Sequence, residues 1–387
     1  MKKFLDCISI VGATPSKFHG TKKYVSTGAV ATTEIDESEV VEVTYEDRPS
    51  RANLSAEAGD ILFAKMQGTR KTLLLDSETE ENIYSTGFYA VRANPEVITT
   101  ECLYYLIDSE LFLAQKDKNC SGATQKAITN GGMAKIEISV PALSEQGILV
   151  DKLKHLTQLI ADKKKQLNLF DEIIKSRFIE MFGTLSSNEQ NFEVLTIESL
   201  CSLIKDGTHQ TPTYTEDTIN GFKFLSSKDI MSTKIDWSDI KYIPSDLHEK
   251  LYAVVKPIKN DILMSKNGVN YGVAAVNDTD EVFDIYVSLA LLRPKTDIIN
   301  PVYFRSAINS PDTKRQFDSS IKGIGVPNLH LGEIKKTKIL VPPVDKQNEY
   351  VSFVEQVDKS KFYIIQMQIL LRLLIRAIQQ KTTEVLL

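Results

Sequence analysis

At 387 residues, with 42% hydrophobic and 25% charged content, the chain has an ordinary globular composition and room for two or three domains. Its net charge of −5 argues mildly against nucleic-acid binding but leaves space for a local basic face inside a larger complex. Cys7, Cys102, Cys120 and Cys201 are far apart, with no CxxC pair and no His at zinc spacing; this suggests neither a zinc site nor a disulfide framework and suits a reducing cytoplasm.

In chain order, the opening Met1 to Lys17 is too interrupted, by Asp6 and Pro15, for a signal peptide. A mixed region of short β-type runs and turn residues follows, then an alternating strand from Ile136 to Val140 that stops at Pro141. From about Glu145 to Phe182 the chain is poor in Pro and Gly, and Gly183 ends it, which predicts one long helix. Along it Leu149, Leu153, Leu156, Ile160, Lys163, Leu167, Phe170, Ile174, Arg177 and Met181 alternate spacings of four and three, a heptad seam.

The second half repeats the first at an offset of about 201 residues. Asp60-Ile61-Leu62 recurs as Asp261-Ile262-Leu263, Lys65 as Lys266, Arg92 as Arg293, Ser109 as Ser310, Gln115 as Gln316, Gly122 as Gly323, Pro141 as Pro342 and Gln146 as Gln347. A second seam follows: Val354, Val357, Lys361, Ile364, Gln368, Leu371, Ile375 and Ile378. Its apolar stretch from Ile364 to Ile378, broken by Gln366, Gln368, Arg372 and Arg376, reads as too short and too polar to cross a membrane.

The predicted fold is α+β: two duplicated mixed α/β domains, joined and separated by two long antiparallel, coiled-coil-like helices in a pseudo-two-fold arrangement. Domain 1 is placed at 1–143, its helix at 144–183, domain 2 at 184–343 and its helix at 344–387. A helix of about 38 residues spans roughly 57 Å and makes a spacer of more than one DNA turn. The seam polar residues Lys163, Arg177, Lys361 and Gln368 suit a role in setting register.

Four features carry a family resemblance. They are Gly12-Ala13-Thr14-Pro15-Ser16-Lys17; Asp206-Gly207-Thr208-His209-Gln210-Thr211-Pro212; the pair Gly59-Asp60-Ile61-Leu62-Phe63-Ala64-Lys65 and Asn260-Asp261-Ile262-Leu263-Met264-Ser265-Lys266-Asn267-Gly268; and the Val-Pro to Gln elements Val140–Gln146 and Val341–Gln347. In this order, across nearly the whole chain, they resemble the specificity subunits of Type I restriction-modification systems. Gly68 falls one place later than Gly268, and Gly12-Ala13-Thr14 lacks the Asp and His of its counterpart, so the paired loops differ.

The resemblance implies two target recognition domains reading a bipartite, asymmetric double-stranded DNA target. It also implies two methyltransferase (modification) subunits bound to the helices, and restriction subunits. S-adenosylmethionine, for adenine-N6 methylation, and ATP with Mg would belong to those partners, leaving no cofactor in this chain and placing it in the cytoplasm without a membrane. The residues agree on the lack of catalysis. There is no GxxxxGK[ST] loop, Gly323-Ile324-Gly325-Val326-Pro327 lacks a third glycine, and no Asn/Asp-Pro-Pro-aromatic tetrapeptide occurs. Asp246 to Lys250 lacks a Glu-x-Lys spacing, and His19, His155, His209, His248 and His330 form no metal set.

Base reading calls for Arg or Lys on guanine and Asn or Gln on adenine, presented by loops on rigid strands. The candidates are Lys65, Gln67, Arg70, Lys71, Gln125 and Lys126 in the first repeat, and His209, Gln210, Lys266, Asn267, Asn270, Lys322 and Asn328 in the second. A solvated loop without DNA accounts for any one of them equally well. Gly12 to Pro15 and Gly207-Thr208 read as turn-formers, and Asp60 and Asp261 as caps, since phosphate repels a carboxylate. On the helices, Leu159, Leu169, Ile173, Phe178, Ile369 and Leu370 are candidate partner-binding residues; a wider core stripe is the alternative. A non-catalytic tandem-repeat scaffold that never touches DNA is the rival function.

Overall fold

The structure, a computed structural model, describes residues 1–230, 233–321 and 327–384, with side chains of the last helix through Gln380. The architecture is α+β and divides into two compact units, one of Met1–Lys165 with the chain from Ile364 onward, the other Gln166–Tyr363. Each unit thus holds one part of both long helices, Leu143–Phe182 and Val344–Glu384.

In the first unit an antiparallel sheet runs in the order Ile8–Val11, Phe88–Ala93, Ile61–Ala64, Thr72–Leu74. A second sheet runs Val41–Val43, Lys22–Val25, Ile83–Ser85, Ala52–Leu54, with the middle pair parallel. Two short helices, Thr100–Ile107 and Glu110–Lys118, precede a strand, Glu137–Ile138, paired with Lys2–Lys3. Strand Ile61–Ala64 is buried at every position because it is covered on both faces. With a period of two, Ile61 and Phe63 join the helix-side core beside Phe4, Leu103 and Phe112, while Leu62 and Ala64 face Val25, Tyr84 and Phe88.

The second unit repeats this plan: sheet order Cys201–Asp206, Leu289–Pro294, Ile262–Ser265, Ala274–Val276, then Lys241–Ile243, Phe222–Leu225, Phe283–Ile285. Helices Pro301–Ile308 and Pro311–Ser320 follow, and Lys338–Val341 pairs with Glu193–Thr196. Its central strand splits the same way, Ile262 and Met264 to one core and Leu263 to the other.

The recurring polar residues are structural. Arg92 forks onto buried Asp60 at 2.7 and 3.1 Å, and Arg293 onto buried Asp261 at 2.8 and 2.9 Å. Both aspartates also cap a turn, accepting from the Glu57 and Ile258 amides. Ser109 and Ser310 cap equivalent helices, and Gln115 and Gln316 each bracket one strand residue, Glu137 and Lys338, through its amide and carbonyl. The glycine loops differ, as their sequences suggest. Gly12 has φ +97° beside Leu54, and Ala13 pairs antiparallel with Ser55, whereas Gly207 lies so close to the Ile285 carbonyl that a Cβ would stand 2.0 Å from it, and Thr208 pairs parallel with Tyr286.

Along the middle of both long helices the seam positions are the sheltered ones, and the residues between them are exposed. Polar seam residues bond across to the other helix. In the second unit Lys361 reaches Asp171 at 2.5 Å and Arg177 reaches Glu349 at 3.6 Å, an antiparallel pairing; in the first, Gln368 donates to the Ile160 carbonyl at 3.4 Å. One expectation needs correction. The helix segment Val344–Gln380 contains an 18-residue window of mean hydropathy 1.3, of which 6% is buried, and by length and composition alone it passes for a membrane span. Both its seam and its outward side are apolar, with Leu370 66% exposed and Leu373 and Leu374 about half exposed.

Candidate nucleic-acid interface

In each unit the loop leaving the buried central strand is stitched to a second loop that leads into the last short helix. In the first unit the Ile128 amide donates to the Lys65 carbonyl at 2.9 Å and the Gln67 amide to the Lys126 carbonyl at 3.0 Å. In the second, one repeat later, Leu329 donates to the Lys266 carbonyl at 2.8 Å and Gly268 to the Pro327 carbonyl at 3.1 Å, while Asn267 and Asn328 form a β-bridge. Both strands also hold the loop from the other side, through Lys65 N to Gly87 O and Lys266 N to Ser288 O. The result is a two-loop platform on a rigid sheet, which is the arrangement base reading requires.

This stitching brings together Lys65, Gln67, Gln125 and Lys126. Gln67, Gln125 and Lys126 are exposed, and Gln67 donates to the Asp117 carbonyl at 3.1 Å. Lys65 is half-buried, donates to Thr86 O at 2.9 Å and lies 4.4 Å above the Tyr89 ring; burial lowers its pKa. Arg70 and Lys71 belong to the same loop but point elsewhere. Arg70 forks onto Asp108, which with the carboxylate's charge outweighs burial and raises its pKa, and Lys71 donates to Thr27 O at 2.5 Å.

In the second unit Lys266, Asn267 and Asn328 come together. Lys266 is a correction: it is buried, and its ammonium is committed to Asp206 at 2.9 Å, so it braces the loop instead of presenting a free charge. Burial works against ionisation of Asp206, yet the hydrogen bond and charge of Lys266 hold that carboxyl below its usual range. Exposed His209 stands 3.4 Å from the same carboxylate, which links it to the platform; Gln210 beside it is exposed. Asn270 is half-buried farther along the loop, and Lys322 lies outside the described residues.

Among the partner-binding candidates, Leu159, Leu169, Ile173, Ile369 and Leu370 are exposed. Phe178 is not: it stacks on Tyr303 at 5.5 Å and packs edge-on to Phe182 and Tyr350. Here the helix docks on its own unit, so its apolar stripe is wider than the seam alone.

Sequence reasoning missed Lys116. This lysine is 1% exposed, and its ammonium donates to the Met66 and Thr69 carbonyls at 2.7 and 2.9 Å, bolting the first platform's loop to the helix beneath. It occupies a buried helix position, where a lysine has no motif to mark it. Among the described residues no group of three or more His, Cys, Asp or Glu could hold a metal ion.

Residues 10–169 and 189–374 match the family described as the Type I restriction modification DNA specificity domain. The EcoBI specificity subunit of Escherichia coli is 23% identical over 269 residues, covering 63% of this chain and 56% of that one. The EcoKI specificity subunit of the same species is 23% identical over 318 residues, covering 77% and 67%. The matches therefore span little more than half to two-thirds of these relatives. A solved chain described under the structural basis of complex assembly and conformational transition of the type I R-M system covers 97% of both chains, with a TM-score of 0.58 and 20% identity, a likeness of fold. Because the family match takes in most of both repeats, including the larger part of each long helix, the chain belongs to the Type I restriction modification DNA specificity family.

Proposed function

We propose that the chain recognises double-stranded DNA without catalysis of its own, each unit reading one part of a bipartite, asymmetric target separated by a fixed gap. The observation that carries this is the doubled two-loop platform: one geometry, furnished with Lys65, Gln67, Gln125 and Lys126 in one unit and with Asn267, Asn328, His209 and Gln210 in the other. Identical scaffolds with different amides and cations suit two different half-sites. On this reading adenine-N6 methyltransferase subunits, with S-adenosylmethionine, cover the exposed apolar side of the long helices, and restriction subunits with ATP and Mg join them; the chain works in the cytoplasm. The test is to bind the chain, co-expressed with a methyltransferase partner, to random duplex pools and sequence the bound fraction. A split motif with a constant gap is expected; no enrichment with a partner bound would favour the scaffold.

Two smaller results are expected. Lys126 is exposed, and its ammonium has no bonding partner among the described residues, so Lys126→Ala should weaken all DNA alike and reduce the salt slope of log K by about 1. Leu370→Glu places a charge on the exposed apolar side and should abolish co-purification of the methyltransferase while leaving the melting temperature within a few degrees; retained co-purification would move the docking surface elsewhere.

A further inference from the structure

The second unit contains a cavity of about 260 Å³ where the facing parts of its long helices meet the helix Pro301–Ile308. One wall is apolar, from Ile174, Phe178 and Ile179; the other carries Arg305, Ser306 and Tyr350. Arg305 is 8% exposed, and its guanidinium makes no hydrogen bond or ion pair among the described residues, with Nε fully enclosed. The Tyr350 hydroxyl is also buried, near Ser306 but without a hydrogen bond of normal geometry. A buried guanidinium left without a hydrogen-bond partner, beside a phenol whose only hydrogen-bonding neighbour among the described residues is the Ser306 hydroxyl, is costly unless something else satisfies it.

The neighbouring acids do not fill that role. Asp171 is taken by Lys361 at 2.5 Å, and Asp358 lies 3.7 Å from both Lys361 and Lys234. Nor is the arrangement a requirement of the shared fold. One repeat earlier, the positions of Arg305, Tyr350 and Lys361 hold Tyr104, Leu149 and Ile160, so the polar wall belongs to the second unit alone.

We propose that this cavity binds a small monocarboxylate with an apolar body, its carboxylate forked on Arg305 and accepting from the Tyr350 hydroxyl, its body against Phe178 and Ile174. The planar guanidinium fits the two oxygens of a carboxylate. Arg305, Lys175 and Lys361 on the lining face Asp171 and Asp358, leaving one net positive charge that a single negative charge balances and a phosphate dianion overshoots. The volume lies below the ~300–1,000 Å³ of sites for drug-sized molecules, so the ligand is compact. A free small acid and the terminal carboxylate of a polypeptide share this chemistry.

The test uses the full chain with benzoate as the probe and with benzamide, inorganic phosphate and a short peptide ending in Phe as its free acid or its amide. Binding is read by calorimetry and by the rise in melting temperature. Benzoate is expected to bind at least tenfold more tightly than benzamide or phosphate. Arg305→Met should lose that binding without lowering the melting temperature of the unliganded protein, because it removes an unpaired buried charge. Ile174→Trp, which fills the cavity from the opposite wall, should lose it as well. If only the free-acid peptide binds, and Arg305→Met abolishes this, the carboxylate comes from a polypeptide end and the assignment stands. Equal binding of phosphate, unchanged benzoate binding in both variants, or no binding of either acid would overturn it.

Discussion

Replacing Gln347 by Leu is expected to destabilise the second unit by about 3–5 kcal/mol, through three backbone groups, one buried and two partly buried, that lose their partner. The Gln347 side chain is fully buried; its amide donates to the Ile298 and Pro342 carbonyls at 3.1 and 2.8 Å and its oxygen accepts from the Asn300 amide at 2.8 Å. Leucine matches its bulk but satisfies none of the three. At ~2–4 °C per kcal/mol for a unit of this size, the transition should fall by roughly 6–20 °C. Trp237, the chain's one tryptophan, packs edge-on to Phe283 in the second unit and reports that transition by fluorescence. Gln146 makes the same three bonds in the first unit, to Val97, Pro141 and Thr99, so Gln146→Leu should lower the overall melting temperature but disturb the tryptophan signal less. A fall below about 1 kcal/mol in Gln347→Leu would show that the joint between domain and helix relaxes freely.

Lys116→Met should separate reading from folding. The substitution preserves length and apolar bulk but removes the ammonium that holds the Met66 and Thr69 carbonyls, at a cost of about 2–4 kcal/mol. On the proposed function, the platform bearing Gln67 and Lys126 then loosens, and selectivity in the first half of the target drops about tenfold or more while the second half keeps its own. Selection and sequencing with the variant measures both halves at once. Equal loss in both halves would mean that the platforms are not independent readers, and no loss in either would remove the loop from the interface.

The legible parts of the fold depend on periodicity and repetition. The seam read from Leu149 to Met181 coincides with the sheltered residues of the first long helix, because a helix of constant pitch turns sequence spacing directly into a face. The repeat offset anticipated that Asp60 and Asp261, or Gln115 and Gln316, would do the same work twice, although only the structure shows what that work is. Phe178 shows where periodicity stops helping: it is one residue off the seam and exposed by that rule, yet it is buried because the domain surface meets the helix there.

The candidate interface was less legible, for a related reason. Residue type names a donor or an acceptor but not whether it is already engaged, and engagement is decided by groups distant in sequence. Lys65 and Lys266 are equivalent in sequence and in backbone position, yet Asp206 claims the second ammonium and a carbonyl and an aromatic ring hold the first. Lys116, Arg305 and Tyr350 carried no pattern at all. The sequence by itself determined the duplication, the long helices with their seams, and the family. Only the tertiary structure decided which polar groups are braces, which stay exposed and unengaged and which are buried without a partner, because hydrogen-bond partners and burial are set by segments tens to hundreds of residues apart along the chain.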